Sequence, residues 1–141
     1  MAHVLIVDDE KCIRLTLTAF IKASGHTATA VEDGAEALRV LREEAVDVVI
    51  TDLIMPGISG TELLRQIKEK TPQIQVILMT GEPDLESADD ALRCHAFDYL
   101  AKPMTKDTIL DAIQRAIAAK PQEDNHAESR NAEPGTQKGD A

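Results

Sequence analysis

The chain has 141 residues, enough for one hydrophobic core and too few for two ordinary domains. Aromatic residues make up 2% of it against 43% hydrophobic residues, which favours a helix-covered parallel sheet over an aromatic-rich β-sandwich. The net charge of −10 argues against non-specific binding to nucleic acid, because phosphate contacts need clustered Lys and Arg.

The first strand is expected at residues 4–7, where Val4-Leu5-Ile6-Val7 runs into Asp8-Asp9-Glu10. With so early a start, no signal peptide is expected. No apolar run approaches the roughly 18 residues of a membrane span, so a cytoplasmic setting is expected. Ile13, Leu17, Phe20 and Ile21 then recur at helical spacing until Gly25 stops the helix. Cys12, on this helix, and Cys94 are far apart and form no C-x-x-C, so neither a zinc site nor a disulfide framework is indicated.

Residues 27–31 read as a second, weaker strand. Asp33-Gly34-Ala35-Glu36 has the capping-box pattern and opens a helix expected to bury Ala37, Leu38 and Leu41. The third strand is expected at residues 46–51, followed by Asp52 and the chain-bending Pro56-Gly57. A second capping box, Ser59-Gly60-Thr61-Glu62, starts a helix with Leu63, Leu64 and Ile67 inward, broken by Pro72. Residues 75–79 form the fourth strand, ending in Thr80-Gly81, and a short helix follows Pro83-Asp84. Residues 97–100 form the fifth strand, ending in Ala101-Lys102-Pro103. A last helix, from Thr105 to about Ala119, buries Ile109, Ile113 and Ile117.

Five strand–helix units in simple alternation define one doubly wound α/β domain with a parallel sheet, assigned to residues 1–120. Residues 121–141 contain no Leu, Ile, Val or aromatic residue and read as a disordered polar tail.

In such a sheet the strand ends meet at one edge, where ligands bind. Strand one delivers Asp8 and Asp9, strand three Asp52, strand four Thr80 and strand five Lys102. Three carboxylates share a small site only if a cation neutralises them or one takes a proton. An all-oxygen donor set suits Mg²⁺, while Thr80 and Lys102 add a hydroxyl and a positive charge. Together they describe a pocket for a tetrahedral anion carried by, or transferred to, Asp52. Taken singly, a strand-end Asp is more often a helix cap or a solvated charge. Five such groups on one edge are not explained that way.

These motifs resemble the receiver domain of two-component response regulators: LIVDDE at residues 5–10, TDLIMPGISG at 51–60, MTG at 79–81 and FDYLAKP at 97–103. The resemblance implies a (βα)₅ fold of strand order 2-1-3-4-5 and phosphoryl transfer from a kinase phosphohistidine to an aspartate. By position, Asp52 resembles the phosphoacceptor. Asp9 and Asp52 resemble side-chain Mg²⁺ ligands, with the Ile54 carbonyl a third and Asp8 acting through water. Thr80 resembles the hydroxyl that swings toward the phosphoryl group and Lys102 the cation that pairs with it. Tyr99 resembles the switch aromatic, and Lys102-Pro103 the family's cis peptide.

The implied partners are a histidine kinase or histidine phosphotransfer protein and a downstream protein effector, with no direct nucleic-acid or membrane contact. The chain is then a monomer or a phosphorylation-dependent dimer. No Gly-rich nucleotide loop occurs, so the domain is not itself a kinase. The sequence departs from the family at His95, where glycine is usual at the end of the fourth helix. Two alternatives stand beside this reading. The chain is a receiver piece of a larger regulator or hybrid histidine kinase, or it is an Asp-nucleophile phosphatase. The latter wants Asp-x-Asp, and the residue two after Asp52 is Ile54.

Overall fold

In a computed structural model of the protein, residues 1–119 are described, and they alternate strictly between strand and helix. The elements are β1 (His3–Val7), α1 (Lys11–Ala23), β2 (Thr27–Val31), α2 (Gly34–Glu43) and β3 (Val48–Asp52). They continue with α3 (Gly60–Lys70), β4 (Gln75–Thr80), α4 (Leu85–Arg93), β5 (Asp98–Ala101) and α5 (Lys106–Ala119). All neighbouring strands pair parallel, in the order β2-β1-β3-β4-β5. The tail assigned to residues 121–141 lies outside the described residues.

The apolar runs form strands because both faces of the sheet are covered. Leu5, Val7, Val49, Val76 and Leu78 pack with Ala37, Val40, Leu63, Leu64 and Ile67 on one face. Val4, Ile6, Val48, Ile50, Ile77 and Met79 pack on the other with Leu17, Ile21, Ile109 and Ile113. Successive strand residues point to opposite faces, so each central strand feeds both layers and reads as a continuous apolar run.

Helix ends carry the expected chemistry. The side chains of Asp33, Ser59 and Asp84 accept the backbone N–H groups of Glu36, Glu62 and Ser87 at 2.9, 3.1 and 2.7 Å. Thr105 Oγ1 accepts from the Thr108 N–H at 3.1 Å and opens α5. At the end of α4, His95 takes φ 70°, the left-handed conformation. Its N–H reaches the Leu92 carbonyl at 3.1 Å and the Ala96 N–H reaches Ala91 at 2.9 Å, which is the Schellman arrangement.

Three boundaries or faces differ from expectation. β3 begins at Val48 and includes Asp52, two residues later than expected at its start. The Asp47 carboxylate instead accepts the His3 N–H at 2.9 Å, at the amino edge of the sheet. β5 begins at Asp98 and runs through Ala101. On α2 the buried line is Gly34, Ala37 and Val40, while Leu38 and Leu41 are half-buried and line a cleft with Gln66 and Ile67 of α3. The phase is set at the first residue: a Cβ on Gly34 would lie 2.3 Å from Ile58, so α2 starts pressed against the β3–α3 loop.

Candidate functional site

β1, β3 and β5 end at the same edge and deliver their polar residues to one place. Carboxylate oxygens of Asp8, Asp9 and Asp52 lie within 4.8 Å of one another. Asp8 is fully buried and Asp52 is 7% exposed, while Asp9 is exposed. Lys102 Nζ sits between the two buried members, 2.8 Å from Asp8 Oδ2 and 3.0 Å from Asp52 Oδ2. The Glu10 carboxylate stands 3.6 Å from the same ammonium. The register explains the meeting. Asp52 pairs with Met79, and Thr80 one residue on pairs with Ala101, so Asp52, Thr80 and Lys102 emerge together.

The backbone holds each group in place. Asp8 Oδ1 accepts the Glu10 N–H at 2.8 Å, and the Asp8 N–H donates to the Val31 carbonyl at 3.1 Å. The Ile54 N–H lies 3.3 Å from Asp52 Oδ1, and the Lys102 N–H donates to the Thr80 carbonyl at 2.8 Å. The Lys102–Pro103 peptide bond is cis. Thr80 is 1% exposed, and its Oγ1 accepts the Glu82 N–H at 3.0 Å. Tyr99 is half-buried. Its hydroxyl meets the Ser87 hydroxyl and accepts from the Asp84 N–H at 3.3 Å, at the start of α4. The Ile54 side chain is 64% exposed at the mouth of the site.

Burial pushes the Asp52 carboxyl above its ordinary value. Lys102 pulls it back, Asp8 adds to the rise, and the rise wins. Burial opposes the charge on Lys102 too, but hydrogen bonds to Asp8 and Asp52 outweigh it and the ammonium ends above its ordinary value. One cation shared by two buried carboxylates, with a third beside them, leaves net negative charge in a confined all-oxygen site. That donor set fits Mg²⁺.

Glu10, Arg14 and Gly60 also shape the site and had no assigned role in the sequence. Arg14 Nη1 donates to the Asp8 carbonyl at 2.9 Å. A Cβ on Gly60 would lie 2.2 Å from the Asp52 carbonyl oxygen, so the first turn of α3 packs against the backbone of Asp52 itself. A glycine in the first turn of a helix was the available signal for the second contact.

A doubly wound parallel sheet thus carries an acidic triad and a lysine at its carboxyl edge. Residues 4–114 match the family model of the response regulator receiver domain, and the chain belongs to that family. It is 42% identical over 115 residues to the DNA-binding transcriptional regulator NtrC of Escherichia coli K12, covering 82% of this chain and 24% of that protein. It is 39% identical over 114 residues to the response regulator protein FleR of Pseudomonas aeruginosa, covering 81% and 24%. The chain thus spans about a quarter of the length of these relatives.

Among solved structures, a response regulator receiver domain protein from Clostridium thermocellum superposes with a TM-score of 0.81 at 38% identity. That match covers 85% of this chain and 97% of the other. NtrX from Brucella abortus matches with a TM-score of 0.80 at 30% identity, covering 84% of this chain and 27% of NtrX. The shared fold is the five-stranded arrangement described above, and phosphoryl acceptance in two-component signalling is the family's general function. Among the described residues no helix is long and apolar enough to cross a membrane.

Proposed function

We propose that Asp52 is the phosphoacceptor, and that the chain is a phosphorylation-controlled protein switch with no other turnover activity. The observation that carries this is Lys102 Nζ bridging Asp8 and Asp52 beside Asp9, at the carboxyl edge of the sheet. An Asp52 carboxylate oxygen attacks the phosphorus of a phosphohistidine. The P–N bond breaks, a P–O bond forms, and the imidazole leaves with its electron pair. Lys102 is already within hydrogen-bond distance of the nucleophile and pairs with a phosphoryl oxygen once Asp52 carries the acyl phosphate. Thr80 supplies a hydroxyl from the neighbouring strand.

Asp9 and Asp52, with the Ile54 carbonyl, would hold Mg²⁺ directly. Asp8 would act through water, in keeping with its two oxygens being engaged by the Glu10 N–H and Lys102. Bound Mg²⁺ would neutralise the charge that the carboxylates and the phosphoryl group bring together. In the switch, Thr80 exchanges its Glu82 N–H contact for the phosphoryl group, and Tyr99 leaves the start of α4 to turn inward.

The donor is a histidine kinase or phosphotransfer protein and the recipient a protein effector, in the cytoplasm. That the chain spans a quarter of its relatives supports a second reading, in which it is the receiver part of a larger regulator. The resident domain itself then still has no nucleic-acid role.

The test is intact mass after incubation with Mg²⁺ and acetyl phosphate. One phosphoryl adduct is expected on the wild type, prevented by prior chelation and absent from Asp52→Asn. A folded, Mg²⁺-bound wild type that stays unmodified counts against Asp52 accepting from small donors, and an adduct on Asp52→Asn against Asp52 itself.

A further inference from the structure

We infer that Arg14, on α1, is a positioning residue that holds the acidic β1–α1 turn in its metal-binding shape. The inference rests on the proposed Mg²⁺ site and concerns a residue outside it. β1 ends at Val7, yet the next residue, Asp8, is fully buried. Its N–H is satisfied by Val31 of β2 at 3.1 Å. Its carbonyl lies past the last strand pairing, and a buried carbonyl needs a donor. Arg14 Nη1 supplies it at 2.9 Å, from a side chain six residues further on.

The turn depends on that contact more than an ordinary helix entry would. Glu10 is the N-cap residue of α1, and its side chain makes no capping hydrogen bond. The backbone of the turn is tied down by the Asp8 carboxylate on the Glu10 N–H and the Arg14 guanidinium on the Asp8 carbonyl, while Lys102 holds the Asp8 carboxylate from the other side. Asp9 lies between these two anchors in sequence and is exposed. Its carboxylate stays with those of Asp8 and Asp52 only if the backbone on either side is held.

Arg14 also lines a cleft of about 450 Å³ with Glu32, Asp33 and Glu36. Even with three acidic residues on that cleft, the guanidinium donates to the neutral Asp8 carbonyl. Its role at the triad is thus geometric, and geometry and charge make opposite predictions. Removing a nearby positive charge tightens Mg²⁺ binding to an acidic site. Removing a brace from the turn that carries the ligands weakens it.

The experiment is Mg²⁺ titration by calorimetry of wild type, Arg14→Ala and Arg14→Lys, each first confirmed folded by circular dichroism without metal. Arg14→Ala is expected to bind Mg²⁺ about tenfold more weakly, the scale of losing an outer-shell partner. Arg14→Lys, which keeps a donor of similar reach, is expected to recover most of the affinity. Equal or tighter binding by Arg14→Ala overturns the inference, and so does failure of Arg14→Lys to recover. A wild type that takes up no Mg²⁺ overturns the metal site and this inference together, whereas an unchanged Arg14→Ala beside a binding wild type overturns this inference alone.

Discussion

At the scale of single residues, Asp52 and Lys102 respond oppositely to neutralisation. Burial raises the Asp52 carboxyl, so the folded chain holds that proton more tightly than the unfolded chain. Stability from this group is greatest below its unfolded value and falls as pH rises through the folded one. Ionisation of the Asp52 carboxyl therefore opposes folding. Asp52→Asn is expected to melt a few degrees above wild type at pH 7 without metal. The gain should vanish in acid, where Asp52 is neutral in both states. Lys102 also binds its proton more tightly when folded, so its contribution is complete below its ordinary value and is lost only in strong alkali. Lys102→Ala leaves Asp8 buried and without its cation. It is expected to destabilise the chain by ~3 kcal/mol at pH 7, read from urea denaturation. An Asp52→Asn protein less stable than wild type at pH 7 would mean that the ion pair outweighs the burial.

At the scale of elements, two contacts between helices and their surroundings make separate predictions. α3 begins with Gly60 against the backbone of Asp52, and the Gly60 N–H donates to the Leu53 carbonyl at 2.8 Å. A Cβ there meets backbone atoms, which cannot rotate away. Gly60→Ala is expected to cost about 2 kcal/mol from overpacking. Because the displaced atoms belong to Asp52, phosphorylation by acetyl phosphate should slow as well, measured at a temperature where the variant is folded. The end of α4 makes the opposite case. His95 occupies a left-handed position where glycine carries no Cβ penalty. His95→Gly is expected to stabilise the chain by about 0.5–1 kcal/mol, seen as a raised urea midpoint with an unchanged slope. A lowered midpoint would show that the imidazole makes contacts worth more than the strain it imposes.

At the scale of the whole molecule, what the sequence disclosed and what it hid have different physical origins. Three central apolar runs buried on both faces, two shorter strands flanking them, and the capping boxes at Asp33 and Ser59 are local signals, so strand and helix order was legible. The inward line of α2 was legible only at Ala37, because Gly34 is placed by Ile58, 24 residues away in the β3–α3 loop. At the site, Asp8, Asp9, Asp52 and Lys102 were legible as strand-end groups, since a parallel sheet carries them to one edge. Arg14 was not, because its partner is a backbone carbonyl and leaves no mark on side-chain composition. The meeting of acidic groups at one edge also has a thermodynamic consequence for the entire fold. The carboxylates converge only in the folded chain, so a cation that needs all of them binds that state and not the unfolded one. Mg²⁺ at about a hundred times its dissociation constant is then expected to stabilise the chain by ~2.7 kcal/mol. Thermal melting with Mg²⁺ against KCl of equal ionic strength separates this from general screening of the −10 net charge. The Mg²⁺ shift should shrink as pH falls and Asp52, its carboxyl raised by burial, takes its proton, and should be much smaller in Asp9→Asn. An equal shift from KCl would assign the stabilisation to the surface as a whole and remove the metal from the site.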